Sequence, residues 1–148
     1  MSTRKRSRLP KSSVHDDRLV SAAVKARDQA YAPYSGFRVG AAIRTKAGQV
    51  FTGCNVENSS FGMSMCAERS AVFAAISAGA RAFSHIALIA DSSLPLSPCG
   101  ACRQVLAEFG PNIIFIMANM KGQVRRQSLK KLLPLKFALT ARRLAMRS

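Results

Sequence analysis

The chain has 148 residues, 48% of them hydrophobic, and its 23 Lys and Arg against 7 Asp and Glu give a formal net charge of +16. This length fits a single domain with a sizeable core, and the apolar content excludes general disorder. No apolar run reaches the ~18 residues of a transmembrane helix, and the basic N-terminus lacks the apolar stretch of a secretory signal, so we expect a cytoplasmic protein without membrane contact.

The first half of the chain predicts a helix, a hairpin and a second helix. Residues 1–12 are expected to form a flexible basic arm, and an apolar stripe at helical spacing follows over residues 13–30. Residues 37–45 and 49–57 flank the sequence KAG, whose glycine suits the turn of a β-hairpin. After a loop, residues 66–79 predict an alanine-rich helix that ends with a glycine.

The second half of the chain predicts strands that alternate with helices. Residues 85–91 and 112–119 are continuous apolar runs typical of buried strands, and residues 100–110 between them predict a helix. A turn and a short helix at residues 128–133 follow. This alternation indicates an α/β layered domain over residues 13–137 with some parallel strand pairing.

The positive charge is concentrated toward the two ends of the chain. Residues 1–11 contain five Lys and Arg, residues 121–148 contain nine, and neither segment contains an acidic side chain. Residues 12–120 are near neutral, with nine basic and seven acidic side chains. We interpret the arm and a basic tail at residues 138–148 as solvated segments; the alternative is non-specific polyanion contact through these ends.

Three of the four cysteines occupy similar places, in the first turn of a predicted helix. Cys66 begins one helix, and Cys99 and Cys102 begin another. Helix N-termini lower thiol pKa values and favour the thiolate that binds metals. Three protein ligands leave the fourth tetrahedral position for water, which is typical of catalytic rather than structural zinc. Glu68, two residues after a ligand, can face that water without binding the metal.

The chain contains, in this order, the segments YAPYSGFRVGAA, GCNVENSSFG, CAERSAVFAAISAG, SPCGACRQVLAEF and LLPLKF. Over roughly residues 19–137 these segments resemble the cytidine deaminases, a zinc-dependent family whose signature combines C-x-E or H-x-E with P-C-x-x-C. The resemblance implies a three-layer fold, in which a central mixed sheet of about five strands is flanked by helices.

The same resemblance implies the reaction. Cys66, Cys99 and Cys102 would hold one Zn²⁺ per subunit, and Glu68 would activate the zinc-bound water. Attack of the resulting hydroxide at C4 of cytosine would convert cytidine or deoxycytidine to uridine or deoxyuridine with release of ammonia, a reaction of pyrimidine salvage. Glu68 would pass protons to the ring nitrogen and to the departing amine.

The nucleoside contacts also follow from the resemblance. Asn55 and Glu57 match positions that bind the sugar hydroxyls, and the backbone N–H of Ala67 matches a contact to the base carbonyl. Phe37 and Phe137 match aromatic residues that pack around the nucleoside. Phe137 would reach the site of a neighbouring subunit, because the three-cysteine form of the family implies a compact homotetramer.

Two basic residues near these motifs need separate interpretation. Three thiolates around Zn²⁺ carry a formal charge of −1, which opposes ionisation of the bound water. Arg69 would offset this charge by donating to the ligand sulfurs, and the alternative is an exposed helical arginine. Lys136 stands where the family usually has a small residue, so the placement of Phe137 depends on this substitution.

Several alternatives share these motifs. The zinc motifs equally fit an aminohydrolase of cytosine-nucleoside antibiotics of the blasticidin type, although the sequence NVEN favours a plain ribosyl or deoxyribosyl substrate. The basic ends suggest a polynucleotide deaminase, although residues 12–120 lack a basic surface interleaved with aromatic residues. Cys54 is interpreted as a buried thiol. As a fourth ligand it would instead indicate a non-catalytic zinc module that binds RNA.

Overall fold

The computed structural model describes residues 14–139. The expected arm at residues 1–12 lies outside the described residues, as does most of the basic tail. Within the described range, no helix combines the length and the apolar character that crossing a bilayer requires. The elements are α1 (Val14–Arg27), β1 (Val39–Thr45), β2 (Val50–Cys54), a 3₁₀ helix (Phe61–Met63), α2 (Ala67–Ser77), β3 (Phe83–Ala90), α3 (Gly100–Ala107), β4 (Ile114–Asn119), β5 (Val124–Ser128) and α4 (Leu129–Leu132).

The five strands form one mixed sheet in the order β2-β1-β3-β4-β5. Strands β3 and β4 pair in parallel, because α3 crosses between them, and the remaining neighbours pair antiparallel. The fold therefore confirms the predicted α/β class, the mixed sheet of five strands and the parallel pairing.

Helices cover both faces of the sheet, which confirms the three-layer arrangement. One apolar cluster joins α1 to side chains such as Ala42 and Ile89, and the other joins α2 and α3 to side chains such as Ile43 and Phe115. Gly53 allows α2 to lie unusually close to β2: a Cβ there would be 2.3 Å from the backbone nitrogen of Ala71. Such packing requires glycine at this position.

The sheet topology brings three chain segments to one edge. Val39, at the start of β1, pairs with Ala90, at the end of β3, and Gly40 pairs with Cys54, at the end of β2. The loop before β1, the residues after β2 and the loop between β3 and α3 therefore meet at this edge. The close approach of α2 to β2 places the N-terminus of α2 beside them.

An ion-pair cluster fixes the first turn of α1 against the sheet. Asp16 is 5% exposed, and its carboxylate pairs with Arg44 of β1 at 3.6 Å and with Arg126 of β5. A buried carboxylate requires such partners, since an unpaired charge in the interior is costly.

The structure differs from the sequence predictions in three places. Strand β5, with the sequence VRRQS, was not predicted, because Val124 is its only apolar residue and the segment lacks the apolar alternation of a strand. The loop expected after β2 contains the 3₁₀ helix. Helix α1 ends at Arg27 rather than near residue 30.

The interpretation of the positive charge as a property of the chain ends also needs correction. Residues 14–139 contain fifteen basic and seven acidic side chains, a net charge of +8. Half of the excess charge is therefore on the folded domain. Of the nine basic residues after position 120, those within the described range are Lys121, Arg125, Arg126, Lys130, Lys131 and Lys136.

Candidate active site

Three cysteine sulfurs meet at the N-termini of α2 and α3. The Sγ atoms of Cys66 and Cys99 are 3.9 Å apart, those of Cys99 and Cys102 are 3.4 Å apart, and all three lie within 4.8 Å of one another. Cys66 and Cys99 are the N-cap residues of their helices. Cys54 lies outside this cluster, in strand β2.

These separations fit a tetrahedral zinc ion. With Zn–S bonds of about 2.3 Å, two sulfurs on a tetrahedral ion are about 3.8 Å apart, and the observed spacings bracket that value. Thiolate donors favour zinc over harder cations, and a set of three leaves one coordination position open. The residues present therefore fit the metal that the sequence predicted.

Arg69 and the neighbouring thiols control the protonation of this cluster. The Nη2 of Arg69 donates to the sulfur of Cys66 at 3.3 Å. A hydrogen bond from Cys102, together with this guanidinium, lowers the pKa of Cys66 to about 5. The pKa of Cys102 is raised, because its proton is held in the hydrogen bond to Cys66 and its sulfur is buried. Arg69 is therefore a partner of the cluster rather than a freely exposed helical arginine.

Glu68 lies beside the sulfur cluster in the first turn of α2. Its side chain is 4% exposed, and burial raises the pKa of its carboxyl above the usual range, while a hydrogen bond with Cys102 acts in the opposite direction. A carboxyl with a raised pKa can accept a proton and return it near neutral pH, as a general acid–base group requires.

A pocket of about 570 Å³ extends from the sulfur cluster to the loop before β1. This volume suits a small-molecule ligand. The lining includes Cys66, Glu68 and Cys99, and also Asn55 and Glu57, which follow β2. The remaining lining residues are Tyr34, Ser35, Phe37, Val39, Val56, Phe61, Ser64, Met65, Ala67, Leu88, Ala90, Leu96 and Ser97.

Asn55 is fixed by the backbone of the segment that enters β1. Its Oδ1 accepts from the N–H of Val39 at 2.8 Å, and its Nδ2 donates to the carbonyl of Phe37 at 2.8 Å. One amide hydrogen and one oxygen lone pair remain for a ligand. The side chain can therefore both donate to and accept from a hydroxyl group.

Glu57 is held by the loop before β1. Its Oε2 accepts from the backbone N–H of Tyr34 at 2.9 Å and of Ser35 at 3.2 Å, and its Oε1 accepts from the Ser35 hydroxyl. The Ser35 hydrogen bond lowers the pKa of the carboxyl. Glu57 is thus a fixed, charged acceptor in the pocket.

The structure places the three other predicted contact residues differently from one another. Phe37, 38% exposed, and Ala67, fully buried, both line the pocket. As the first residue of α2, Ala67 has a backbone N–H without an acceptor inside the helix. Phe137 is 71% exposed and does not line the pocket of its own subunit.

Sequence reasoning missed the residues that hold this site in place. Ser35, which donates its hydroxyl hydrogen bond to Glu57, has no sequence signal of its own that sets it apart from neighbouring loop residues. Arg103 joins the loop before Cys99 to α4: it donates to the carbonyl of Pro98 at 2.9 Å and to that of Leu132 at 2.8 Å. Its position directly after Cys102 was the available signal, but its distant partner was not predictable.

Comparisons with known proteins agree with this geometry. Residues 13–118 match the family model described as the cytidine and deoxycytidylate deaminase zinc-binding region. A cytidine deaminase of Sporosarcina psychrophila is 48% identical over 119 residues, which cover 80% of this chain and 88% of that protein. A blasticidin-S deaminase of Bacillus cereus is 33% identical over 107 residues, which cover 67% of this chain and 76% of that protein.

The fold gives the same result. The crystal structure of cytidine deaminase from Burkholderia pseudomallei superposes with a TM-score of 0.80 at 51% sequence identity, covering 82% of this chain and 98% of that one. The matched region includes the three sulfurs, Glu68 and the pocket. The chain therefore belongs to the family defined by the cytidine and deoxycytidylate deaminase zinc-binding region.

Proposed function

We propose that this protein is a zinc-dependent cytidine deaminase that converts cytidine and deoxycytidine to uridine and deoxyuridine with release of ammonia. The observation that carries the proposal is a buried Glu68 beside three sulfurs at zinc spacing, within a pocket lined by Asn55 and Glu57. The 48% identity to a cytidine deaminase supports the substrate class.

Each chemical role is assigned to a group that the fold already holds. Bound zinc supplies Lewis acidity, which makes a water molecule a nucleophile at neutral pH. Glu68 accepts a proton from the attacking water and passes it to the ring nitrogen of the base. It then takes the second proton of that water, from the hydroxyl group now on C4, and gives it to the amino group, which leaves as ammonia while the C4 carbonyl forms. Because Glu68 is 4% exposed, bulk water does not compete for that proton.

The remaining pocket residues orient the nucleoside. Glu57 and the unused donor and acceptor of Asn55 bind the sugar hydroxyls, and the N–H of Ala67 donates to the base carbonyl. Phe37 packs against the nucleoside from the loop side of the pocket. Since this arrangement binds a free hydroxylated sugar, it favours a nucleoside over a cytosine-nucleoside antibiotic, whose deaminase is also the more distant relative at 33% identity.

We further propose a homotetramer in which Phe137 reaches the site of a neighbouring subunit. The ring is 71% exposed and stands outside its own pocket, so it needs a second surface to bury its apolar area. Exposed apolar side chains around the pocket offer such a surface, among them Tyr34 at 54% and Phe61 at 76%.

The catalytic unit is assigned to residues 13–137, with basic segments on either side. We place the protein in the cytoplasm, since a reducing compartment keeps three cysteine thiols available as metal ligands. Non-specific polyanion contact through the basic ends remains part of this proposal. The zinc module with four cysteine ligands is not supported, since Cys54 stands apart from the other three sulfurs.

Substitution of Glu68 by Gln tests the proposal. This change keeps the size of the side chain but removes the proton carrier, so cytidine turnover should fall by at least ~10²–10⁴-fold while zinc content stays at one ion per chain. Exposed Glu108→Gln is the matched control and should leave turnover unchanged. Near-normal turnover by zinc-replete Glu68→Gln would overturn the assignment.

A further inference from the structure

A short segment after α4, residues 134–139, is unusual because its apolar side chains face away from its own domain. Leu135, Phe137 and Leu139 are 91%, 71% and 82% exposed. We name this segment the strap. Because these side chains gain nothing from burial in their own subunit, other contacts must determine the conformation of the strap.

Those contacts come from one face of α3. The Nε2 of Gln104 donates to the carbonyl of Phe137 at 2.9 Å, and the N–H of Phe137 donates to the Oε1 of Gln104 at 3.1 Å. The Nζ of Lys136 donates to the carbonyl of Ala107 at 3.1 Å. Gln104 and Ala107 are three residues apart and so share a helix face.

The chemistry of both contacts suits attachment of the strap to α3. A primary amide donates and accepts at once, so Gln104 pairs with the main chain of Phe137 as a neighbouring strand would. Ala107 is the last residue of α3. The carbonyl groups of the last helical turn have no N–H donor within the helix, and a cation is favourable beside them. Lys136 therefore places a cation where the end of α3 favours one.

We propose that Gln104, assisted by Lys136, is a positioning residue that fixes the backbone of Phe137 for contact with the neighbouring subunit's substrate. This inference rests on the proposed function, in which Phe137 reaches that site. Helix α3 would then serve two sites, because its first turn holds Cys99 and Cys102 of its own subunit and its later turns hold the strap for the next.

The consequence is a specific kinetic pattern. Loss of the two Gln104 hydrogen bonds corresponds to about a tenfold loss in the fraction of correctly placed straps, so Gln104→Ala should raise the KM for cytidine about 10-fold. The effect on kcat should be smaller than about threefold, and zinc content should not change. A general disturbance of α3 would instead lower zinc content and kcat, because the same helix holds two sulfurs.

A double-mutant cycle with Phe137→Ala tests whether Gln104 acts through this ring. We expect Gln104→Ala to raise KM in the natural chain but to have no further effect on KM when Phe137 is already alanine. Independent, multiplying effects in the double variant would overturn the inference. Exposed Gln29→Ala is the matched control and should leave KM unchanged.

Lys136 provides a second test in case Gln104→Ala does not fold. Lys136→Met should raise the KM for cytidine about threefold. Lys136→Arg, which keeps the cation, should have the KM of the natural chain. If Gln104→Ala and Lys136→Met both leave KM unchanged while Phe137→Ala raises it, the inference about Gln104 is overturned and the proposed function is not. Absence of cytidine turnover in the natural chain would instead overturn the proposed function.

Discussion

Replacing Gly53 by alanine should damage both the stability of the fold and the metal centre. The added Cβ would lie 2.3 Å from the backbone nitrogen of Ala71 and 2.6 Å from the carbonyl oxygen of Ala67. Neither atom belongs to a flexible side chain, so α2 must move away from β2 by about 1 Å to restore ordinary contact.

The magnitude follows from this displacement. Overpacking costs about 1–3 kcal/mol, and a clash with rigid backbone belongs at the upper end of that range. In a domain of this size, the loss should lower Tm by about 6–12 °C. Because α2 carries Cys66 and Glu68, a shift of about 1 Å should also lower kcat by about 10²-fold.

Two other glycines serve as controls for this experiment. At Gly40 a Cβ would lie 2.0 Å from the carbonyl oxygen of Ala23, so Gly40→Ala should lower Tm similarly. That clash displaces α1, on the opposite face of the sheet, and should leave kcat within a few-fold well below Tm. A Cβ at Gly62 meets nothing within 4 Å, and Gly62→Ala should change neither quantity.

Measurements of thermal unfolding, zinc content and cytidine turnover in the three variants test these expected changes in Tm and kcat. Unchanged Tm and kcat in Gly53→Ala would refute the packing argument. Equal losses of kcat in Gly40→Ala and Gly53→Ala would refute the claim that the approach of α2 to β2 positions the site.

Three further predictions concern the metal ligands, the thiol chemistry and the chain ends. Cys99→Ser should lower zinc content measured by atomic absorption, whereas Cys54→Ser should not; equal losses would favour a site with four ligands. In zinc-free protein, alkylation of Cys66 should rise with a midpoint near pH 5, because its pKa is lowered to about 5, and Arg69→Met should shift that midpoint to higher pH; an unmoved midpoint would show that the guanidinium does not stabilise the thiolate. A shortened chain spanning residues 12–140 should keep kcat/KM for cytidine within a few-fold, and efficient deamination of single-stranded oligonucleotides by the full chain alone would instead make the basic ends substrate-binding elements.

The sequence allowed prediction of those parts of the fold that local signals determine. Helices α2 and α3 follow loops with cysteine N-caps and are followed by glycines in the left-handed region, Gly79 at φ +94° and Gly110 at φ +125°. The apolar runs of β3 and β4 predict buried strands without further information. The ordered cysteine motifs likewise predicted the sulfur cluster that the structure shows.

Features that depend on distant partners could not be predicted in this way. Strand β5 is stabilised by pairing with β4, and its Arg126 is neutralised by Asp16, which lies more than a hundred residues earlier in the chain. The Ser35 contact with Glu57 and the Gln104 contact with Phe137 likewise join segments that only the completed fold brings together.

Loss of the ultraviolet absorbance of cytidine, followed with protein at three stages of metal loading, tests zinc-dependent deamination most directly. We predict turnover with one zinc ion per chain, loss of turnover after the metal is removed with a chelator, and recovery when one equivalent of zinc is returned. Turnover that persists after complete zinc removal, or no turnover by zinc-replete protein, would contradict the assigned function.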